Sequence, residues 1–118
     1  MDRQRTLDNT SLSAIEREAL ADLRTRLFAE LGFVEEVILF GSAARGTADA
    51  ESDIDLLVLT AYTLPYRERH QITRLLTEIN DHYETNFSSL VIDRSEWEEG
   101  VTTVLPIKRE IERDGVLV

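Results

Sequence analysis

The chain has no cysteine, so disulfides, thiolate metal sites and a cysteine nucleophile are all excluded. It has one lysine, Lys108, and arginine carries nearly all of its positive charge. No apolar run approaches the ~20 residues needed to span a bilayer. The opening stretch, MDRQRTLDNT, is polar and lacks the apolar segment of a secretory signal. The expectation is therefore a soluble, cytoplasmic protein with no membrane association. There is no internal repeat, no low-complexity tract and no linker. What remains is 118 residues, the usual size of one compact domain with a real core. Residues 1–10 are expected to form a flexible tail, and residues 11–118 the domain.

Acidic residues outnumber basic ones by 23 to 13, a formal net charge of −10. Such a surface repels the phosphate backbone, so tight binding of long nucleic acid is not expected. A nucleotide could still bind at one local site, because a bound metal ion reverses the local charge.

Ser13-Ala-Ile-Glu16 has the spacing of a helix capping box. Ile15, Ala19, Leu23, Leu27 and Leu31 then recur every four residues, which predicts a helix over 13–31 stopped by Gly32. Val34–Phe40 reads as a buried strand, ended by Gly41. Ser42–Arg45 suits a short helical turn, and residues 47–52 a polar loop. Asp53–Leu59 reads as a second strand. Pro65 opens a helix near 65–83, whose buried face carries Ile72, Leu75, Leu76, Ile79 and Tyr83. Phe87–Ile92 is a third strand. Ser95-Glu-Trp-Glu98 repeats the capping-box spacing ahead of a short helix. A last helical turn or two covers Ile107–Asp114, and Val116–Val118 can dock as a strand. The order predicts an α/β (α+β) domain with a mixed sheet of three or four strands.

Two features carry chemistry. Gly41 lets the backbone approach a ligand closely, and the first amides of the turn after it face outward, as an anion requires. Ser42 adds a hydroxyl donor and Arg45 a charged one. Gly-Ser turns are common, however. On a strand, Asp53 and Asp55 point to one face. Carboxylates that close repel; neutralising one of them by a raised pKa relieves this, and so does binding Mg²⁺ that also holds a substrate phosphate. An Asp-rich loop leading into a strand, with Asp49 and Glu51, is the other reading of the pair.

Gly41-Ser42, ten intervening residues, then Asp53-x-Asp55 resembles the signature of the DNA polymerase beta-like nucleotidyltransferases. The stretch Leu39-Phe-Gly-Ser-Ala-Ala-Arg-Gly46, with Ser52-Asp-Ile-Asp-Leu-Leu-Val58, is similar to their stand-alone branch, the minimal nucleotidyltransferases. The resemblance is sharpest over 34–60. It implies that Gly41 and Ser42 hold a nucleoside triphosphate such as ATP. It implies that Asp53 and Asp55 bind Mg²⁺ and serve catalysis. The implied reaction is attack of a hydroxyl on the α-phosphorus with loss of pyrophosphate. Members of this kind are often antitoxins paired with HEPN-domain toxins, and some adenylylate a toxin tyrosine. The implied partner is thus a HEPN-type helical protein. Self-association through exposed helices is the other way to complete so short a chain.

The family pattern also has a third carboxylate, on a later strand, acting as base. The matching strand here is Thr85-Asn-Phe-Ser-Ser-Leu-Val-Ile92, and the inward positions are Ser88 or Ser89. Asp93 and Glu84 flank it and could substitute only in a different register. A chain that binds its partner directly, with a reduced site, is therefore the alternative to an adenylyltransferase. His70 and His82, twelve residues apart, read as helix-edge residues. Trp97 reads as a packing anchor, Tyr62 and Tyr66 as local packing, and Glu98 and Glu99 as a solvated face.

Overall fold

A computed structural model describes residues 7–49 and 51–118. The elements are α1 (Ala14–Glu30), β1 (Val34–Phe40), α2 (Gly41–Arg45), β2 (Ile54–Thr60), α3 (Tyr66–Tyr83), β3 (Phe87–Asp93), α4 (Arg94–Glu99), α5 (Pro106–Asp114) and β4 (Val116–Leu117). The four strands form one mixed sheet in the order β3-β2-β1-β4. β1 pairs antiparallel with β2 and with β4, and β2 runs parallel to β3. The fold is the expected α+β arrangement, with five helices around four strands.

Both faces of the sheet are covered, which explains why the strand sequences are so continuously apolar. Val37 and Leu39 of β1, with Ile54, Leu56 and Val58 of β2, face α1 and α3 in the larger core. Their neighbours Ile38, Leu57 and Leu59 face the other way, onto Trp97 of α4 and Ile111 of α5. Trp97 is thus a packing anchor. Lys108 lies over its ring, 5.1 Å from the centroid.

The capping box of α1 is present in full. Ser13 Oγ accepts from Glu16 N–H at 3.1 Å, and Glu16 Oε1 accepts from Ser13 N–H at 2.8 Å. Ile15, however, is exposed, while Ala19, Leu20, Leu23 and Leu27 are buried. A four-residue step overshoots one helical turn by about 40°, so the row drifts off the buried face. The helix also ends differently from the expectation. Leu31 caps it in an extended conformation, without a left-handed Gly32. Leu31 is buried at the corner, and Val34 N–H donates to its carbonyl at 3.1 Å.

The helix after β3 begins at Arg94, and its cap is Asp93 rather than Ser95. Asp93 Oδ2 accepts from Glu96 N–H at 3.1 Å. β3 runs to its last residue in register with β2, so Asp93 reaches the cap position first. Of the tail expected over 1–10, residues 1–6 lie outside the described residues. Leu7–Asn9 form one 3-10 turn, and Leu7 packs against the larger core. Among the described residues, no helix is long and apolar enough to cross a membrane.

Candidate active site

The site lies where β1 ends and β2 begins, on the face that α4 and α5 cover further along. Antiparallel pairing sets Phe40 opposite Asp55. The chain then turns at Gly41 with φ +75°, a left-handed conformation that side chains disfavour. A Cβ at Gly41 would lie 2.5 Å from Asp55 Oδ2. Glycine is therefore required twice here, for the turn and for the approach of the carboxylate to the backbone.

α2 follows at once. Phe40 offers no side chain to cap its first amides. Ser42 is half-exposed beside them. The back of the turn is braced by buried Ala43 and Ala44, and Ala43 O accepts from Ser11 N–H at 3.0 Å. Gly46, at φ +78°, closes the turn in the left-handed cap that helices favour. The loop that follows keeps its own carboxylate busy. Asp49 Oδ1 accepts from Glu51 N–H at 2.9 Å and from Ser52 Oγ at 3.0 Å, and these bonds hold it below the usual carboxylate range.

Asp53 and Asp55 behave differently from Asp49. Asp53 is exposed just before β2, and its Oδ1 accepts a short hydrogen bond from Asn86 Nδ2. Asp55 is half-buried. Burial pushes its carboxyl up from the ordinary value, the Asp53 charge pushes it further, and the Arg45 guanidinium partly offsets both. Of the expected site residues, Gly41, Ser42, Asp53 and Asp55 meet at one place, and Arg45 is near enough to act on Asp55 by charge alone. Asn86, which contacts Asp53, is a residue that the spacing gives no reason to select. Its only sequence signal is its position ahead of β3, and its carbonyl also accepts from Ile54 N–H at 2.9 Å.

The parallel register decides between the two serines. Ser88 pairs with Asp55 and shares its face, while Ser89 pairs with Leu56 and faces the other way. Asp93 pairs with Thr60, at the far end of β2. It is committed to capping α4 and accepts from Thr63 Oγ1 at 3.1 Å. Glu84 is the left-handed C-cap of α3. Neither stands in for a third carboxylate. Among the described residues, no group of three or more carboxylates or imidazoles is placed to hold a metal ion.

A pair of carboxylates still fits Mg²⁺. That ion keeps several waters and is held by one or two carboxylates plus substrate phosphate oxygens. A divalent cation would relieve the repulsion between Asp53 and the partly desolvated Asp55.

The remaining candidates lie elsewhere. Tyr62, past the far end of β2, donates to Glu68 Oε1 at 2.9 Å and packs edge-on to Phe33. Tyr66 is 81% exposed and stacks on His70. His82 is exposed at the end of α3 beside Tyr83. Glu98 pairs with Arg94 at 3.2 Å.

A family model described as a nucleotidyltransferase domain matches residues 20–116. The chain belongs to the nucleotidyltransferase domain family. Among curated relatives of this chain are two candidate protein adenylyltransferases of Methanocaldococcus jannaschii. One is 32% identical over 79 residues, 67% of this chain and 77% of that protein. The other is 45% identical over 60 residues, 48% of this chain but only 40% of that protein. Solved structures share the fold. A candidate nucleotidyltransferase from Sulfolobus solfataricus has a TM-score of 0.59 at 21% identity, covering 99% of this chain and 89% of its own. A tri-AMPylated Shewanella oneidensis HEPN toxin in complex with an MNT antitoxin has a TM-score of 0.51 at 17% identity, covering 86% of this chain and 69% of that one.

Proposed function

We propose that this chain is a Mg²⁺-dependent adenylyltransferase that transfers AMP from ATP to a hydroxyl of a HEPN-type helical partner, as an antitoxin in the cytoplasm. The observation that carries the proposal is the contact of the Gly41 turn with Asp55, with Asp53 on the same side. That contact sets an anion-binding turn against a carboxylate pair. The names of the M. jannaschii relatives support the transfer of an adenylyl group to protein. The S. oneidensis complex supports a HEPN partner.

The division of labour follows from the side chains. The outward amides of the turn at Gly41 and Ser42, with the Ser42 hydroxyl, hold phosphate oxygens. Arg45 adds positive charge at the edge. Asp53 and Asp55 hold Mg²⁺, and Asn86 keeps the Asp53 carboxylate oriented. Bound Mg²⁺ supplies charge neutralisation for the phosphates and the leaving group. The acceptor hydroxyl oxygen forms a bond to the α-phosphorus. The bond from that phosphorus to the bridging oxygen breaks, and pyrophosphate leaves with the electron pair. The hydroxyl proton needs an acceptor. Ser88, where the family pattern has a carboxylate, is no base at neutral pH, so this step is left to Asp55 or solvent.

That serine also favours a second reading. A chain without the third carboxylate could act by binding its partner, with nucleotide as a sensed ligand. The two readings separate when the protein is incubated with α-labelled ATP, Mg²⁺ and a co-encoded helical partner. Label on the partner that vanishes in Asp53→Ala and Asp55→Ala supports transfer. An unlabelled partner that still forms the complex with both variants would sink the enzyme and leave the binding module.

A further inference from the structure

The sheet has two edges, and they are protected unequally. β4 is two residues long, and a short edge strand offers little to a foreign chain. β3 is seven residues long, contains no charge before Asp93 and no proline, and leaves Leu90, Val91 and Ile92 only half-buried. Natural edges of that kind are usually blunted by charge, bulges or cover.

Main-chain directions along β3 can be assigned. Ile54 N–H donates to Asn86 O at 2.9 Å, so Asn86 aims its polar main-chain groups at β2. Those of successive strand residues alternate. Ser88, Leu90 and Ile92 therefore also face β2, while Phe87, Ser89 and Val91 face outward. Phe87 is covered by one side chain. Its N–H donates to Asn80 Oδ1 at 2.8 Å, and its carbonyl accepts from Asn80 Nδ2 at 3.0 Å. Asn80 thus imitates the next strand at one position. Among the described residues, nothing does so for Ser89 and Val91.

An open groove of about 300 Å³ lies along that uncovered stretch. Tyr66, Arg69, His70 and Thr73 line it from one side of α3, and Ser89, Leu90 and Val91 from β3. It contains no acidic residue, although the chain carries 23 of them. Arg69 makes no ion pair among the described residues. Tyr66 and His70 form a stacked pair beside it, 5.8 Å between centroids.

We propose that the outer edge of β3, at Ser89 and Val91, takes an extended acidic segment of the acceptor protein as an added strand, held by main-chain hydrogen bonds and by Arg69. The inference rests on the function proposed above for what the segment delivers. Such a strand passes Ser88, the register partner of Asp55, and so lies about 10 Å from β2, two strand spacings away. A second copy of this chain is the poorer occupant, because pairing edge to edge would set Arg69 and His70 of one copy against those of the other. Single-stranded nucleic acid could meet the charge and the ring pair, but it lacks the alternating N–H and C=O groups that the strand edge needs.

The test uses the full chain labelled with ¹⁵N and an acetylated Glu-Val-Glu-Tyr-Glu-Val-Glu amide as probe. Peptide at millimolar concentration should slow amide exchange at Ser89 and Val91 and leave Leu90 unchanged. Arg69→Glu, an exposed change, should weaken that binding about tenfold, or ~1.4 kcal/mol. The Asp53→Ala/Asp55→Ala variant should keep the protection. Absence of protection at those two amides would overturn the proposal. So would the same protection from raised protein concentration alone, or from oligouridylate. Protection by the peptide with no AMP reaching its tyrosine would count against the proposed function and leave the edge site standing. Transfer to the peptide that survives Arg69→Glu undiminished would do the reverse.

Discussion

Gly41 and Asp55 make the one close contact on which the proposed site depends. The turn is left-handed, and any Cβ there would run into the Asp55 carboxylate. Gly41→Ala should therefore cost about 1–3 kcal/mol of stability in a urea titration and weaken nucleotide binding as Asp55 moves. A loss of less than a few tenths of a kcal/mol would mean the contact is not tight. Asp55 has a carboxyl raised by burial and by Asp53. A group whose folded pKa is raised stabilises the fold below its unfolded value, about 3.9, and loses that contribution as pH rises through the folded value. Asp55→Asn removes the loss. The variant should be more stable than the parent at neutral pH without ligand, with the gap closing as pH falls into the carboxylate range. Parallel stability–pH curves for the two proteins would refute this.

The elements test the site through register. Ser88 shares the face of Asp55 and Ser89 does not. If transfer is limited by the missing base, Ser88→Asp should raise its rate, by up to the ~10²-fold that a placed base contributes. Ser89→Asp, on the opposite face, should bring no such rise. An equal effect of both would contradict the register. At the strand edge, Asn80→Ala strips the N–H and C=O of Phe87 of their partners. It should lower stability by about 1–3 kcal/mol and speed exchange at Phe87. Most of these elements could be read from the sequence, because apolar periodicity and the Ser13 capping box act locally. The sequence was a poorer guide where packing decides. Ile15 obeys a four-residue count yet faces solvent, and Asp93 takes the cap that Ser95-x-x-Glu98 suggests. Gly41, Ser42, Asp53 and Asp55 stand out because one turn and one strand bring them together. Asn86 is far away in the chain and reaches Asp53 only through the β2–β3 pairing, so no local spacing could reveal it.

Across the whole molecule, two apolar cores sandwich one sheet, and the polar site sits at its open end, where Asp53 is exposed. The proposed function puts a nucleotide with a divalent ion there, in a chain of net charge −10 that would otherwise repel it. Thermal unfolding with and without Mg²⁺-ATP tests this most directly, because a ligand that binds only the folded state raises the midpoint. At a hundredfold excess over its dissociation constant, the ligand should add about 2.7 kcal/mol to the parent. That is a rise of several degrees, which should be absent without Mg²⁺ and in Asp55→Asn. A parent midpoint that does not move at saturating Mg²⁺-ATP, or an Asp55→Asn variant that keeps the full rise, would contradict a nucleotide site built on this carboxylate pair.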